Sequence, residues 1–318
     1  MSGAEEHVGR LTLRIRAALL AIALAALGAA APAQASLRVV ASTTDLAALA
    51  QAVGGDLATV ETIVPAAVDP EAFEPRPGDV DKVRRADLLV RVGLGYDYWL
   101  DKLLRQVGDK RFLRGGSGYV DGSVSIPLLE VSGQTVTNEG GHAHGVANPH
   151  YWLDPENAKI VSLGIAEGFT RLMPGERERI AVNRERFVAE LDARLARWTG
   201  ALAPAAGTKL IAYHNSWPYL ARRFRLDVID FIEPKPGVAP SPAHLARLIA
   251  KGRAAGVRAV VHEPYEPQDA SKFVAQKLGV PFILLATSVG SVAEAKDYLA
   301  LFDYNVATLV KALGVRGP

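Results

Sequence analysis

From Leu37 onward, short apolar runs that end in polar residues alternate with segments of helical periodicity, and this alternation limits the fold more than any other feature. Strands separated by helices need crossover connections, so they lie parallel and the helices cover both faces of the sheet. The first unit is an apolar run over 37–41, then Ser42-Thr43-Thr44-Asp45, whose Thr and Asp suit a helix N-cap, and a helix through Gln51. The unit repeats as 59–64, a turn-rich 65–78 and a helix over 79–86, then as 88–92 and a helix over 98–107. Residues 124–126 are a further candidate strand.

A helix after Asp154-Pro155 is expected to run to about Leu172, where Pro174-Gly175-Glu176 provides a new helix entry. Beyond it Ile180, Phe187, Leu191, Leu195, Trp198 and Leu202 recur mainly three and four residues apart, one apolar stripe on an otherwise charged helix. At 1.5 Å per residue such a helix reaches on the order of 40 Å, enough to be a spine between two lobes. Its pattern lasts too few heptads for a coiled coil. The strand and helix units then resume: 209–213 ending at His214, a helix over 217–224, 227–232 ending at Glu233-Pro234, a helix over 241–255, 259–261 ending at His262-Glu263-Pro264, a helix over 270–278, 282–285 ending at Thr287-Ser288, and a last helix to Leu313. Ligands of open parallel sheets bind outside the carboxyl ends of the strands, so His214, Glu233, His262 and Glu263 are all aimed at one crevice. The expected division is a leader over 1–35, a first lobe over 36–173, a linking helix over 174–203 and a second lobe over 204–318.

The leader has the build of a secretory signal. Arg10, Arg14 and Arg16 precede an apolar run over 17–30, and Ala33-Gln34-Ala35 supplies small residues for cleavage. That run falls short of the roughly 20 residues a bilayer span needs. Without its first 35 residues, which carry three Arg and two Glu, the chain's 36 basic and 34 acidic side chains fall to 33 and 32, and such a balance leaves no nucleic-acid footprint. The chain has no cysteine, hence no disulfide, no thiolate ligand and no thiol to carry a lipid. The mature protein is expected to be free, soluble and monomeric in a Gram-negative periplasm.

Three of the seven histidines lie in the loop Gly140-Gly141-His142-Ala143-His144-Gly145-Val146-Ala147-Asn148-Pro149-His150-Tyr151-Trp152-Leu153-Asp154-Pro155. Neutral imidazole is the commonest metal ligand, and His150, wedged between a proline and two aromatic rings, has the limited freedom a ligand needs. His142 and His144, among glycines, read as a polar surface loop. Asp154 reads as an N-cap ahead of Pro155. His244, inside a helix, reads as a packing or surface residue.

Asn148 to Pro155, Asp69-Pro70-Glu71-Ala72-Phe73-Glu74-Pro75-Arg76-Pro77-Gly78-Asp79 and Tyr213-His214-Asn215-Ser216-Trp217 together resemble the solute-binding proteins of metal ABC transporters, the zinc and manganese receptors of the periplasm. The resemblance covers essentially the whole mature chain and is strongest over Asn148 to Pro155, which looks like the family's second-ligand motif. The 140–145 loop is similar to a short version of the His-rich loop of zinc receptors. Family likeness implies two lobes, each a small parallel sheet flanked by helices, joined by one rigid helix, with metal in the cleft. Carried over position by position, it makes His150 and His214 ligands. The first ligand departs from the pattern: Glu71 stands where the family has His, and a carboxylate oxygen can still bind zinc. The usual fourth ligand is an Asp just after the last strand, but the corresponding stretch Leu285-Ala286-Thr287-Ser288-Val289-Gly290 holds no carboxylate. Glu263 is the candidate to fill that corner, with His262 next, though strand alternation lets only one of the two point inward.

Tyr151, Trp152, Trp217 and Tyr219 are expected to wall the cleft, and Glu233-Pro234-Lys235-Pro236-Gly237 to form a stiff loop at its edge, a candidate docking surface for the permease. Two imidazoles with one or two carboxylates suit zinc first and manganese second, with ferrous iron also open. The function implied is capture of a divalent cation for a membrane permease and its ATPase, with no catalytic turnover. The alternatives are an exported metal-dependent hydrolase, and a receptor of the same fold for a metal chelate or organic solute. Against the hydrolase, the chain has neither a His-Glu-x-x-His helix nor a Gly-x-Ser-x-Gly elbow.

Overall fold

The computed structural model describes residues 36–131 and 147–315; the candidate signal sequence and His142 and His144 lie outside the described residues. Its first sheet is formed by β1 (Leu37–Ala41), β2 (Ala58–Thr62), β3 (Leu88–Arg91) and β4 (Tyr119–Asp121), in the order β2-β1-β3-β4 with every pairing parallel. Val39 sits between Val60 and Leu88 in register. The helices between the strands are α1 (Thr44–Gly54), α2 (Pro77–Arg85) and α3 (Trp99–Val107). All four residues of β3 are buried, as a central strand covered on both faces requires. Alternate residues sort to opposite sides: Val39, Leu88 and Val90 face one core, while Val40 and Leu89 face another with Val83, Leu100 and Phe112.

The strand expected at 124–126 is not formed. Asp121 ends β4, and its Oδ1 accepts both the backbone N–H of Ser123, at 3.0 Å, and the Ser123 hydroxyl, at 2.6 Å, which turns the chain out of the sheet. Ser125 follows at φ 65°, in the left-handed region no strand can contain.

The chain then enters α4 (Asn157–Leu172) and the 26-residue helix α5 (Arg177–Leu202). Ile180, Phe187, Leu191, Trp198 and Leu202, five of the six stripe positions read from the sequence, are buried along α5. The second sheet contains β5 (Lys209–Ala212), β6 (Asp227–Phe231), β7 (Ala259–His262) and β8 (Phe282–Leu284) in the order β6-β5-β7-β8, again all parallel. Its helices are α6 (Pro218–Phe224), α7 (Pro242–Ala255), α8 (Asp269–Leu278) and α9 (Tyr298–Leu313). The two sheets thus share one strand order, the second repeating the first.

The spine α5 packs on α1 and α4 at one end and on α9 at the other. Phe187 meets Tyr298 edge-on at 6.2 Å between ring centres, and Trp198 meets Phe302 at 5.3 Å. One apolar core therefore runs from the first sheet through the spine into the second. Burying a single side chain of this size contributes about 1.5–3 kcal/mol, so the lobes are joined by packing as well as by chain. Among the described residues no helix is long and apolar enough to cross a membrane.

Candidate metal centre

The carboxyl ends of both sheets open on the same groove. Glu71 lies on the long connection after β2, His214 and Glu233 follow β5 and β6, and His150 sits on the segment that leads into α4. Each is placed by local chemistry. The Asp69 carboxylate accepts the Glu71 N–H at 2.9 Å, a side-chain turn that the fixed φ of Pro70 favours. Trp99 donates its indole N–H to the Pro70 carbonyl at 3.0 Å, and its ring meets Phe73 at 5.0 Å, so the turn carrying Glu71 is pinned at both ends. His150 is 2% exposed and packs between Tyr96 and Trp152, each 5.3 Å away ring to ring.

The structure brings Glu71, His150 and His214 together, with one donor atom from each lying within 4.8 Å of the others. Glu71 Oε1 is 3.5 Å from His150 Nε2 and 3.6 Å from His214 Nε2. The two imidazole rings are 5.6 Å apart, centre to centre. A tetrahedral zinc ion with ligand bonds of 2.0–2.2 Å has edges of about 3.3–3.6 Å between donors, so both measured edges have the length such an ion requires.

The tautomers of both histidines follow from their neighbours. Asn148 Nδ2 donates to Asn215 O at 2.9 Å and to Glu130 Oε2 at 3.1 Å, two groups that can only accept. Its Oδ1 is therefore the atom facing His150, where it accepts the backbone N–H at 3.0 Å and meets Nδ1 at 3.1 Å. Nδ1 of His150 therefore carries a proton, and Nε2 is the nitrogen turned toward Glu71. For His214 the partner of Nδ1 is Glu233 Oε2 at 2.5 Å, so Nδ1 donates here too and Nε2 is the nitrogen turned toward Glu71. Burial works to lower the His214 pKa, but hydrogen bonds to Glu233 and Glu71 and the charges of Glu71 and Glu263 hold it well above the ordinary imidazole value.

Glu263, expected as a further ligand, does not join the three. It is fully buried, and its Oε1 accepts from the Ser216 hydroxyl at 2.9 Å and from the Trp217 indole at 2.7 Å, holding the segment that follows β5. Burial pushes its pKa up to about 7 against the lowering effects of His214, Ser216 and Trp217. His262 is likewise buried, with Nδ1 on the Ser271 hydroxyl at 2.8 Å and Nε2 on the Glu266 carbonyl at 3.1 Å. Strand alternation was the wrong guide at this point: both side chains are enclosed because β7 is itself buried on both faces. Thr287 has its side chain buried, while its carbonyl accepts the Trp152 indole N–H at 2.9 Å.

A cavity of about 260 Å³ leads to the group, lined by Asp69, Glu71, Tyr213, His214, Glu233 and Glu266 among others, with no Lys or Arg. Burial and the charges of Asp69 and Glu233 push the Glu266 pKa up to about 7. Carboxylates that repel one another in a closed space favour a cation and oppose an anion.

Around the group the lobes are tied by hydrogen bonds. Tyr219, from α6, donates to the Asn148 carbonyl at 3.0 Å and accepts the Leu129 N–H at 3.1 Å; Tyr298 donates to the Trp152 carbonyl at 2.6 Å. Asp154 is not the N-cap expected of it, since α4 starts at Asn157 with Glu156 in the cap position; its carboxylate accepts the Glu156 N–H at 3.0 Å and also Arg223 Nε at 2.6 Å and Nη2 at 3.1 Å from α6. Of the four aromatic residues read from the sequence as cleft walls, Trp152 and Tyr219 fasten lobe to lobe, whereas Tyr151 donates to the Val92 carbonyl and Trp217 to Glu263 within their own lobes. Sequence reasoning passed over Asn148, Tyr96 and Trp99. The one available signal for Asn148 was its place two residues before a rigidly held histidine.

Residues 39–312 match the family described as ZnuA, the periplasmic component A of the zinc-uptake complex. The chain is 24% identical over 269 residues to the high-affinity zinc uptake system protein ZnuA of Bacillus subtilis, covering 82% of each chain. Among solved structures it is similar to a zinc-bound ZnuA lacking residues 138–173, at 26% identity and a TM-score of 0.74 over 89% of this chain and 100% of that one. It is also similar to FpvC of Pseudomonas aeruginosa in complex with manganese, at 25% identity and a TM-score of 0.73 over 88% and 99% of the two chains.

Proposed function

Given that this chain belongs to the ZnuA family of periplasmic zinc-uptake components, we propose that it captures a divalent cation between its lobes through Glu71, His150 and His214 and delivers it to an ABC permease driven by its ATPase. We take 36–173 and 204–318 as the metal-binding lobes, 174–203 as the segment joining them, and 1–35 as a signal removed on export. The observation that carries the reading is Glu71 Oε1, set 3.5 Å and 3.6 Å from two Nε2 atoms whose rings are each anchored through Nδ1. Three protein donors leave the fourth corner of a tetrahedron to water. The cation is bound and released unchanged, so no side chain needs to act as acid, base or nucleophile.

Zinc is the first cargo, on the strength of two imidazoles and of the zinc-named relatives. Manganese is the second, because a carboxylate in place of a third imidazole hardens the site, and FpvC is a relative solved with that ion. The acid-lined cavity speaks against an anionic chelate as ligand. Elemental analysis of protein from its native compartment, followed by zinc titration of wild type, His150→Ala and His214→Ala, tests the proposal. One zinc per wild-type chain and loss of tight binding in both variants is the expected result; unchanged affinity in both variants refutes the ligand assignment.

A further inference from the structure

The two imidazoles of the group have unlike supports. Nδ1 of His150 meets an amide oxygen, Asn148 Oδ1, at 3.1 Å, whereas Nδ1 of His214 meets a carboxylate oxygen, Glu233 Oε2, at 2.5 Å. The other oxygen of Glu233 is also engaged: Oε1 accepts the backbone N–H of Gly237 at 2.5 Å. That turn closes with a bridge between Lys235 and Val238, and Gly237 adopts φ 73°, a conformation glycine alone takes without strain. The Glu233 side chain is 5% exposed, so neither hydrogen bond competes freely with water.

We infer that Glu233 is a positioning residue for metal capture, which strengthens His214 as a donor and ties its ring to the cleft-edge turn at Gly237 without itself touching the metal. The inference rests on the metal site proposed above. Its basis is the number of acceptors that position 233 must supply. With Nε2 committed to a metal, His214 Nδ1 is a donor, and the Gly237 N–H is always a donor. The two donors lie against different ends of the side chain, His214 at Oε2 and Gly237 at Oε1, so both ends must accept, which a carboxylate does and a carboxamide, with an NH₂ at one end, does not. A charged acceptor on Nδ1 also raises the basicity of the ligating nitrogen. The amide of Asn148 does this for His150 far less, so His214 is the stronger of the two imidazole donors.

The test is Glu233→Gln in the full chain, compared with wild type by zinc calorimetry, by the visible spectrum of the cobalt-loaded protein, by hydrogen exchange at the Gly237 amide and by melting of the metal-free form. The glutamine can serve one donor and must present its NH₂ to the other. We expect zinc to bind roughly 10–100-fold more weakly, as is usual on loss of a partner to a ligand histidine. The cobalt bands should shift and the Gly237 amide should exchange faster, with metal-free melting close to wild type. Glu233→Asp keeps the charge and both acceptors on a shorter stem, and should bind zinc more tightly than the Gln variant and more weakly than wild type. If the Gln protein does not fold, the same measurements on Glu233→Asp decide the matter. A wild type that takes up no metal overturns both this inference and the site beneath it. Unaltered zinc affinity and cobalt spectrum in the variants, beside normal uptake by wild type, overturn this inference alone, whether or not melting changes.

Discussion

The side-chain amide of Asn148 donates to the main-chain carbonyl of Asn215 at 2.9 Å, so a residue two places before His150 is bonded to the residue immediately after His214. The same side chain fixes the tautomer of His150 through its oxygen. One small group thus ties the two lobes beside His150 and His214 and orients the ring of one of them.

Asn148→Ala should therefore weaken zinc by about 10–100-fold, the usual effect of losing a group that orients a ligand. Asn148→Asp retains the acceptor for His150 but turns a repelling carboxylate toward Glu130 and the Asn215 carbonyl, so it should recover little of the loss. Zinc titration of both variants checks this; an alanine variant with wild-type affinity would show that the two ligands are held in place without the bridge.

Glu71 Oε1 lies 3.5 Å from Nε2 of His150 and 3.6 Å from Nε2 of His214, nearly midway between the imidazoles. Removing it as Glu71→Ala takes away one of three protein donors and leaves two imidazoles, which should weaken every divalent ion. Glu71→His substitutes a nitrogen donor for a hard oxygen, so it should raise the preference for zinc over manganese. Competition between the two ions, followed in wild type and Glu71→His, gives the ratio directly. A ratio that does not move would mean that Glu71 lies outside the coordination sphere.

In the metal-free protein the pKa of His214 stands well above its ordinary 6.5. Its folded value is raised, so the stabilisation it gives the metal-free fold is complete below 6.5 and fades as pH climbs through the higher value. A metal competes with that proton. Zinc uptake near neutral pH should release a proton, and apparent affinity should grow with pH until the raised value is passed. Calorimetry in buffers of different ionisation heat measures the release; identical heats in all of them would contradict the protonated His214.

Much of this arrangement was legible in the chain. Parallel sheets were written in the alternation of apolar runs and helical stripes, and the spine in the spacing from Ile180 to Leu202, because burial in those elements is a local, periodic demand. His150 could be named from its place between a proline and two aromatic rings and His214 from the end of a strand, whereas Glu71 was named only through the family resemblance. The residues that support them were harder to see. Asn148, Tyr96 and Trp99 act on partners far along the chain: Trp99 on Pro70, and Asn148 on both Glu130 and Asn215. No spacing rule links such pairs. Glu263 misled because a carboxylate at a strand end looks alike whether it faces a cleft or is folded under it. Only the positions of Ser216 and Trp217 separate the two cases.

Glu263 offers a test on stability. Burial, the largest effect, pushes its pKa from 4.5 up to about 7 in the folded chain. For an acid whose folded value is raised, the stabilisation is complete below 4.5 and lost as pH rises through about 7. Above that range wild type carries a buried charge, at a cost on the order of 3 kcal/mol relative to acid conditions. Asp45, also pushed up to about 7 by burial, contributes in the same direction and is common to both proteins, so a comparison of variant with wild type isolates Glu263. Glu263→Gln keeps an oxygen for Ser216 and Trp217 and cannot ionise. Its melting temperature should exceed that of wild type at pH 8 in metal-free protein, and the gap should close below pH 4.5. The same variant should still take up one zinc per chain, since Glu263 is not one of the three residues whose donor atoms come together and its Oε1 is held by Ser216 and Trp217. Equal melting at both pH values would deny the buried charge, and loss of zinc would return Glu263 to the coordination sphere.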